Sequence, residues 1–185
     1  MNYIAALALL VAVMACLVGE YVRLEHLKRR VEGAWNQWNH ATRRRNERLG
    51  DFVAVLASYL PQEDELAREM RRWVTDSGRA LAAQHGAPAL GCGAKLSEAE
   101  RHLQVMMRSS GRAVESSTEL RDNVQLQELY QAMATSHLMQ SAETQHYNRL
   151  VHDYNAALSS PMTRLLAPVL GFCAMEEISQ GRRQR

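Results

Sequence analysis

The feature that most constrains this chain is an uncharged apolar run at its beginning. From Tyr3 to Gly19 the sequence has no Asp, Glu, Lys or Arg, and it is built almost entirely from Ala, Leu, Val, Ile and Met. A helix of this length covers roughly 26 Å, which approaches the ~30 Å hydrocarbon core of a bilayer. Tyr3 and Tyr21 bracket the run, where aromatic rings favour the membrane interface. The run predicts a transmembrane anchor over residues 1–22.

Two kinds of secretion signal are alternatives to this anchor. A cleaved signal peptide begins with basic residues, and Met1-Asn2-Tyr3 has none. The stretch Val13-Met14-Ala15-Cys16 is similar to a lipoprotein signal, but the apolar run continues through Leu17 and Val18. We therefore favour an anchor that stays in the mature protein.

The distribution of basic residues predicts the direction of the anchor. Four of them follow the run, namely Arg23, Lys28, Arg29 and Arg30, and no Lys or Arg precedes it. Because cytoplasmic flanks carry the excess of Lys and Arg, the N-terminus is predicted outside and the rest of the chain in the cytoplasm. The expected location is the inner (cytoplasmic) membrane of a bacterium, crossed in a single pass.

Length and charge restrict the remainder to one domain without a nucleic-acid signature. The chain has 185 residues, and its 22 Lys and Arg nearly balance its 20 Asp and Glu. A nucleic-acid partner is not expected from so even a balance. Cys16, Cys92 and Cys173 lie far apart, so we expect reduced thiols and no disulfide framework.

The prolines and the three- and four-residue spacing of apolar residues divide the rest of the chain into helices. The first continues out of the membrane to about Leu60, with Gly50 as its weakest point, and the second runs over about 63–85. After a loop over 86–93, Ser97-Glu-Ala-Glu100 has the form of a capping box that opens a third helix. A break near 115–118 precedes a fourth helix over 119–158. The predicted fold is all-α: a transmembrane helix continuing into an antiparallel up-down four-helix bundle over 23–160, with packing of coiled-coil type.

Two positions on the first helix are predicted to face the last one. Trp35 and Trp38 belong to its apolar row, and Tyr147, Val151 and Tyr154 recur at helical spacing on the fourth helix. Since those two helices are predicted to be antiparallel, these aromatic residues meet near the membrane end of the bundle.

A polar layer is predicted in the middle of the bundle. Arg45 follows Val31 and Trp38 at seven-residue steps, so it should approach the core. The matching row on the fourth helix has Gln140 in its middle, with His137 and Thr144 beside it. We favour a structural layer over a binding site.

Two motifs invite a chemical interpretation and are too incomplete to carry one. Gly91-Cys-Gly-Ala-Lys95 lacks the spacing and the preceding strand of a phosphate loop. Glu143-Thr-Gln-His146 is a lone Glu-x-x-His, whereas a di-metal bundle needs two such motifs and two further Glu. We expect no catalytic, cofactor-binding or metal-binding residues.

The last segment, residues 161–185, is amphipathic and ends in a basic tail. It is apolar but interrupted by Arg164 and Pro168, so it cannot span a membrane. Its apolar residues should lie against the base of the bundle or the membrane interface, with the base favoured: Leu165, Leu166, Val169, Leu170 and Phe172. The terminal Arg182, Arg183 and Arg185 could add contact with anionic lipid.

Two stretches resemble the signatures of a known family. Val31–Val53 has an Ala-Trp pair, a polar run and an arginine cluster before an apolar helix, and Tyr147–Asn155 carries two Tyr-Asn pairs followed by Pro161. Together with the anchor they resemble the LemA family. The resemblance implies a membrane-anchored helical bundle without an established enzyme activity.

The predicted function is that of a non-enzymatic scaffold or adaptor. Its cytoplasmic bundle would present a surface to an unidentified protein partner or to the membrane, and self-association stays open. The alternative is a helical-bundle metal protein or enzyme acting at the membrane, and a subunit of a larger membrane assembly overlaps with the first interpretation.

Overall fold

The chain is all-helical over the residues described by its computed structural model, which are 2–59, 65–82 and 93–178, and no strand occurs among them. In chain order the helices are α1 (Asn2–Tyr59), α2 (Glu65–Ala82), α3 (Gly93–Ser116), α4 (Thr118–Arg121), α5 (Val124–Leu158) and α6 (Pro161–Leu166). Residues 172–178 follow α6 without regular secondary structure. The all-α class is confirmed.

The first helix is continuous from the apolar run into the folded domain. It has 58 residues and is therefore roughly 87 Å long. Gly50 does not interrupt it. Within the described part of the chain, α1 is the one helix long and apolar enough to cross a membrane, and its most apolar stretch is not buried against any other element. This suggests membrane anchoring.

Helices α1 and α5 run antiparallel and form the main contact of the domain. Near the membrane end, Trp38 Nε1 donates to Thr144 Oγ1 at 2.9 Å. Near the far end, Asn123 Nδ2 donates to Tyr59 Oη at 2.6 Å. Because positions rise along α1 as they fall along α5, the two helices have opposite directions.

Two separate apolar clusters make up the core. The membrane-end cluster, which is the one closer to the predicted anchor, contains Trp35, Trp38, Tyr147, Val151 and Tyr154, all almost completely buried. This confirms the predicted aromatic contact between the first and the last long helix. The farther cluster joins α1 and α5 to α2 and α3, with these buried members among others: Leu49, Phe52, Leu56, Met70, Leu103, Leu126 and Met133.

Two predicted helix starts are corrected by the structure. α3 already includes Gly93, so Ser97 and Glu100 lie inside the helix instead of capping it. The predicted fourth helix is split into α4 and α5, because Asn123 adopts extended backbone and its Oδ1 accepts from Leu126 N at 2.9 Å. This is the N-cap geometry that starts a new helix.

One part of the C-terminal segment packs against the domain, and another part is exposed. Phe172 and Ile178 are buried against the membrane-end cluster, and the Phe172 ring lies 5.7 Å from the ring of Tyr21. The favoured placement against the base of the bundle does not hold for Val169, which is 83% exposed, or for Leu170, which is also exposed, and their contact with the membrane interface stays a prediction. The side chains of Leu165 and Leu166, together with residues 179–185, lie outside the described part. Lipid contact by the basic tail stays a prediction.

Candidate functional site

A buried polar layer separates the two apolar clusters. Its centre is Arg45 of α1, which is completely buried although it belongs to a run of arginines. Its neighbours Arg43, Arg44 and Arg48 are exposed. The prediction that one member of this run enters the core is therefore confirmed.

Glu100 of α3 supplies the counter-charge. Arg45 Nη1 donates to Glu100 Oε2, and Arg45 Nη2 donates to Glu100 Oε1 at 2.7 Å. Two parallel bonds between guanidinium and carboxylate are the strongest arrangement for such a pair. Glu100 is itself 3% exposed, so both charges have left water and depend on each other.

Asn46 connects this pair to α2. Its Oδ1 accepts from Arg45 Nη2 at 2.8 Å, and its Nδ2 donates to Ser77 Oγ of α2 at 3.0 Å. Asn46 therefore accepts from Arg45 through its amide oxygen and donates to a buried hydroxyl through its amide nitrogen.

Gln140 connects the pair to α5. Its Nε2 lies 3.3 Å from both Glu100 Oε2 and Thr144 Oγ1, and Thr144 accepts from the indole of Trp38. The network thus passes through α2, α1, α3 and α5 in turn. Because each polar group must find its partner at one height, the layer fixes how the four helices are aligned along their length.

His137 lies at the edge of the layer and is incompletely satisfied. Its Nδ1 is buried and has no hydrogen-bond partner among the described residues, and the same holds for Thr42 Oγ1. Burial lowers the pKa of the His137 imidazole below 6.5, and the nearby Arg45 guanidinium lowers it further. Glu100 opposes the shift. A second cation is thereby disfavoured beside Arg45.

This arrangement predicts an acid-sensitive fold. In the unfolded chain, His137 takes up a proton near pH 6.5, whereas in the folded chain it does so only at a lower pH. The free energy of unfolding is therefore highest above pH 6.5 and falls as the pH drops below that value. Chemical denaturation of the purified chain should therefore show a falling free energy of unfolding from pH 7 to 5. His137→Gln should flatten this dependence. The exposed His146→Gln is the matched control, and an equal flattening by both variants would contradict the assignment.

Over the polar layer, α1 and α5 leave an open groove of about 600 Å³ on the surface. Four residues come from each helix: Gln37, His40, Ala41 and Arg44 from α1, and Ser136, Met139, Ala142 and Glu143 from α5. Ala41 and Ala142 are the smallest of these and make room for the groove. Met139 is 62% exposed and its neighbour Leu138 is 70% exposed. Two large apolar side chains in the middle of a helix are thus presented to the solvent.

The motifs considered for metal or phosphate chemistry are not brought into such sites. Glu143 lines the groove, while His146 is exposed. Among residues 2–59, 65–82 and 93–178, no group of three or more His, Cys, Asp or Glu is placed to hold a metal ion. Gly91 and Cys92 lie outside the described part, and Lys95 is within α3.

Sequence reasoning found one side of the polar layer and missed the other. Arg45, Gln140 and Thr144 were identified from their seven-residue and four-residue spacing. Glu100, Asn46 and Ser77 were missed. Glu100 has a helical signal, since it stands three residues before the buried Leu103 and one after the buried Ala99, but its place in a capping-box pattern suggested another role.

One comparison with known proteins gives a family match. The model of the LemA family matches residues 34–184, a range that begins just before Trp35 and includes the polar layer, α5 and the C-terminal segment. No curated protein and no solved structure matches the chain. Since the family match covers most of its length, the chain belongs to the LemA family.

Proposed function

We propose that this protein is a non-enzymatic membrane-anchored scaffold or adaptor, and that the groove between α1 and α5 receives a protein partner. The observation that carries the proposal is the exposed Met139 at the edge of a groove whose walls, α1 and α5, are joined by the buried Trp38–Thr144 hydrogen bond. Rigid walls reduce the ordering cost of binding.

The long first helix supports this role by setting the height of the groove. About 22 residues separate the end of the predicted anchor from Arg44, which corresponds to roughly 33 Å of helix. A partner would therefore meet the groove at a fixed distance from the membrane surface.

The chemistry of the groove indicates the kind of partner. Met139, Ala41 and Ala142 offer apolar contact, while Arg44 and Glu143 place opposite charges at the edge. Met side chains adapt to varied apolar surfaces. This combination fits an amphipathic helix of another protein, which would lie along the groove with its apolar face inward.

The proposal predicts partner capture at the groove. A photo-crosslinking amino acid in place of Met139 should join the chain to one protein in native membranes, and the same probe at Glu128, which is exposed elsewhere on α5, should not. Ala41→Arg would fill the groove and should abolish the product. Equal products from both probe positions would contradict the proposal, as would stoichiometric metal in the purified chain.

We also propose that the four long helices form an up-down-up-down bundle in the cytoplasm. The antiparallel contact of α1 with α5 supports it. The pairing of Asn46 with Ser77 also supports it. Asn46 lies about as far before the end of α1 as Ser77 lies after the start of α2, as expected if α2 turns back along α1.

The proposed direction across the membrane predicts a labelling pattern. In a variant lacking the native cysteines, Gln145→Cys on the exposed face of α5 should resist a membrane-impermeant thiol reagent in intact cells and react after permeabilisation. Asn2→Cys should react in intact cells. The reverse pattern would show that the domain lies outside.

A further inference from the structure

Two asparagines of α5 hold the C-terminal segment by its main chain. Asn155 Nδ2 donates to Met175 O at 2.8 Å, and its Oδ1 accepts from Met175 N at 3.0 Å. Asn148 repeats the pair of bonds with Ile178, each at 2.8 Å. Each amide thereby satisfies both polar groups of one residue, as a neighbouring strand would in a sheet.

The tyrosine before each asparagine adds one further bond to the main chain. Tyr154 Oη donates to Cys173 O at 3.2 Å, and Tyr147 Oη donates to Glu176 O at 3.0 Å. Burial raises the pKa of the Tyr154 hydroxyl to about 12, and it raises the pKa of the Tyr147 hydroxyl well above its usual value. Both phenols therefore keep the proton they donate.

The two Tyr-Asn pairs form a regular repeat that matches an extended chain. The pairs are seven residues apart on α5, or roughly 10.5 Å along a helix. Their targets, Cys173 with Met175 and Glu176 with Ile178, are three residues apart. Three extended residues also cover about 10 Å. Two turns of the helix therefore bind three residues of peptide.

Side-chain selectivity in this site is confined to every third residue. Phe172 is 7% exposed, Ile178 is 3% exposed and Met175 packs against the same cluster. Cys173, Ala174 and Glu177 are exposed. The site therefore requires apolar residues at three-residue steps and leaves Cys173, Ala174 and Glu177 without a steric requirement.

We infer that the two Tyr-Asn pairs, which we name the Tyr-Asn site (Tyr147, Asn148, Tyr154 and Asn155), form a receptor for an extended peptide, and that residues 172–178 of a second copy can occupy it in place of the chain's own segment. The ligand is the same sequence already seated there, so its fit is shown by the contacts themselves. Exchange of an identical element between copies replaces every contact with an equal one.

The attachment of the segment permits this exchange. Pro168, Val169, Leu170 and Gly171 are all exposed, and Gly171 has a φ of 75°. Residues 168–171 can therefore redirect the chain, and the segment of the second copy would cover the part of the core that Phe172 and Ile178 leave. Two copies anchored in one bilayer would also hold their segments and sites at the same height, which raises the effective concentration of each for the other.

A crosslinking experiment between two tagged full-length copies tests the inference. His152 Nδ1 of α5 and Glu177 Oε1 of the segment lie 4.0 Å apart. One copy carries Glu177→Cys and a disabled site, Asn148→Leu with Asn155→Leu. The other carries His152→Cys and an intact site. All native cysteines are replaced by serine in both copies.

In the second copy, Phe172→Ser and Ile178→Ser weaken its own segment. A short thiol-specific crosslinker should then join the two copies in the membrane. Disabling the site of the second copy as well should reduce the joined product at least about tenfold, because two pairs of main-chain hydrogen bonds are lost. Moving the cysteine from His152 to the exposed Glu128 should also remove it.

A single chain with both cysteines provides the reference. If it crosslinks within itself while the two separate copies yield no joined product, the segment does not exchange and the inference fails. Product that is indifferent to the asparagine changes would equally overturn it. Should the double change prevent folding, Asn148→Leu alone gives a partial loss that tests the same point.

Discussion

Replacing Glu100 by leucine is expected to destabilise the folded chain by about 3–5 kcal/mol, because it leaves the guanidinium of Arg45 buried without a counter-charge. Arg45 is completely buried and Glu100 is 3% exposed. Water therefore cannot replace the lost carboxylate. Urea denaturation of the full chain in detergent, monitored by helical circular dichroism, measures the loss.

The double variant Arg45→Met with Glu100→Leu distinguishes the loss of the whole ion pair from the effect of leaving one charge buried alone. An apolar pair of similar volume avoids the desolvation of both ions, so the double variant should recover most of the stability lost by Glu100→Leu. The exposed Arg44→Met is the matched control and should change the free energy of unfolding little. If Glu100→Leu alone is as stable as the unmodified chain, the buried pair does not hold the helices.

The helical periods of this sequence predict much of its fold. Trp35, Trp38, Tyr147 and Tyr154 could be placed in one cluster because three- and four-residue steps on two helices specify a face for each. Arg45 could be placed in the core for the same reason, since it continues the row of Trp38 at a seven-residue step. Periodicity indicates which face of a helix a residue occupies, and this information was sufficient to place these residues in the core.

Predicting contacts between different elements would require information that the helical periods do not contain. Glu100 could serve as a capping residue or as a buried partner, and only the position of α3 beside α1 decides between them. The C-terminal segment is similar. Phe172, Met175 and Ile178 stand three residues apart, a spacing that is also typical of a helix, yet the segment has no regular secondary structure and is held by Asn148 and Asn155. Nothing in the sequence of α5 alone shows that its asparagines face a peptide.

The two stretches that resemble the signatures of the family thus have distinct structural tasks in this chain. The first, around Trp38 and Arg45, aligns the helices through the aromatic cluster and the polar layer. The second, from Tyr147 to Asn155, binds the C-terminal segment. The groove lies beside the first, so damage to the polar layer should also disturb the proposed partner surface, whereas loss of the segment should leave it in place.

Replacing Trp38 by alanine is the second change expected to cost the most, at about 3–5 kcal/mol. Trp38 is fully buried and stacks on Trp35 with ring centroids 5.0 Å apart, so its removal opens a cavity between α1 and α5. It also deprives Thr144 of the indole donor at 2.9 Å.

Trp38→Phe distinguishes packing from hydrogen bonding at this position. Phenylalanine retains most of the aromatic contact with Trp35 and loses the indole N–H, so its cost should be smaller, about 1–2 kcal/mol from the lost bond and the reduced volume. Met139→Ala, at a side chain that is 62% exposed, should be nearly neutral. Thermal denaturation of the four proteins in the same detergent gives the order unmodified, Met139→Ala, Trp38→Phe and Trp38→Ala from highest to lowest melting temperature. A melting temperature of Trp38→Ala equal to that of Met139→Ala would contradict the placement of Trp38 in the core.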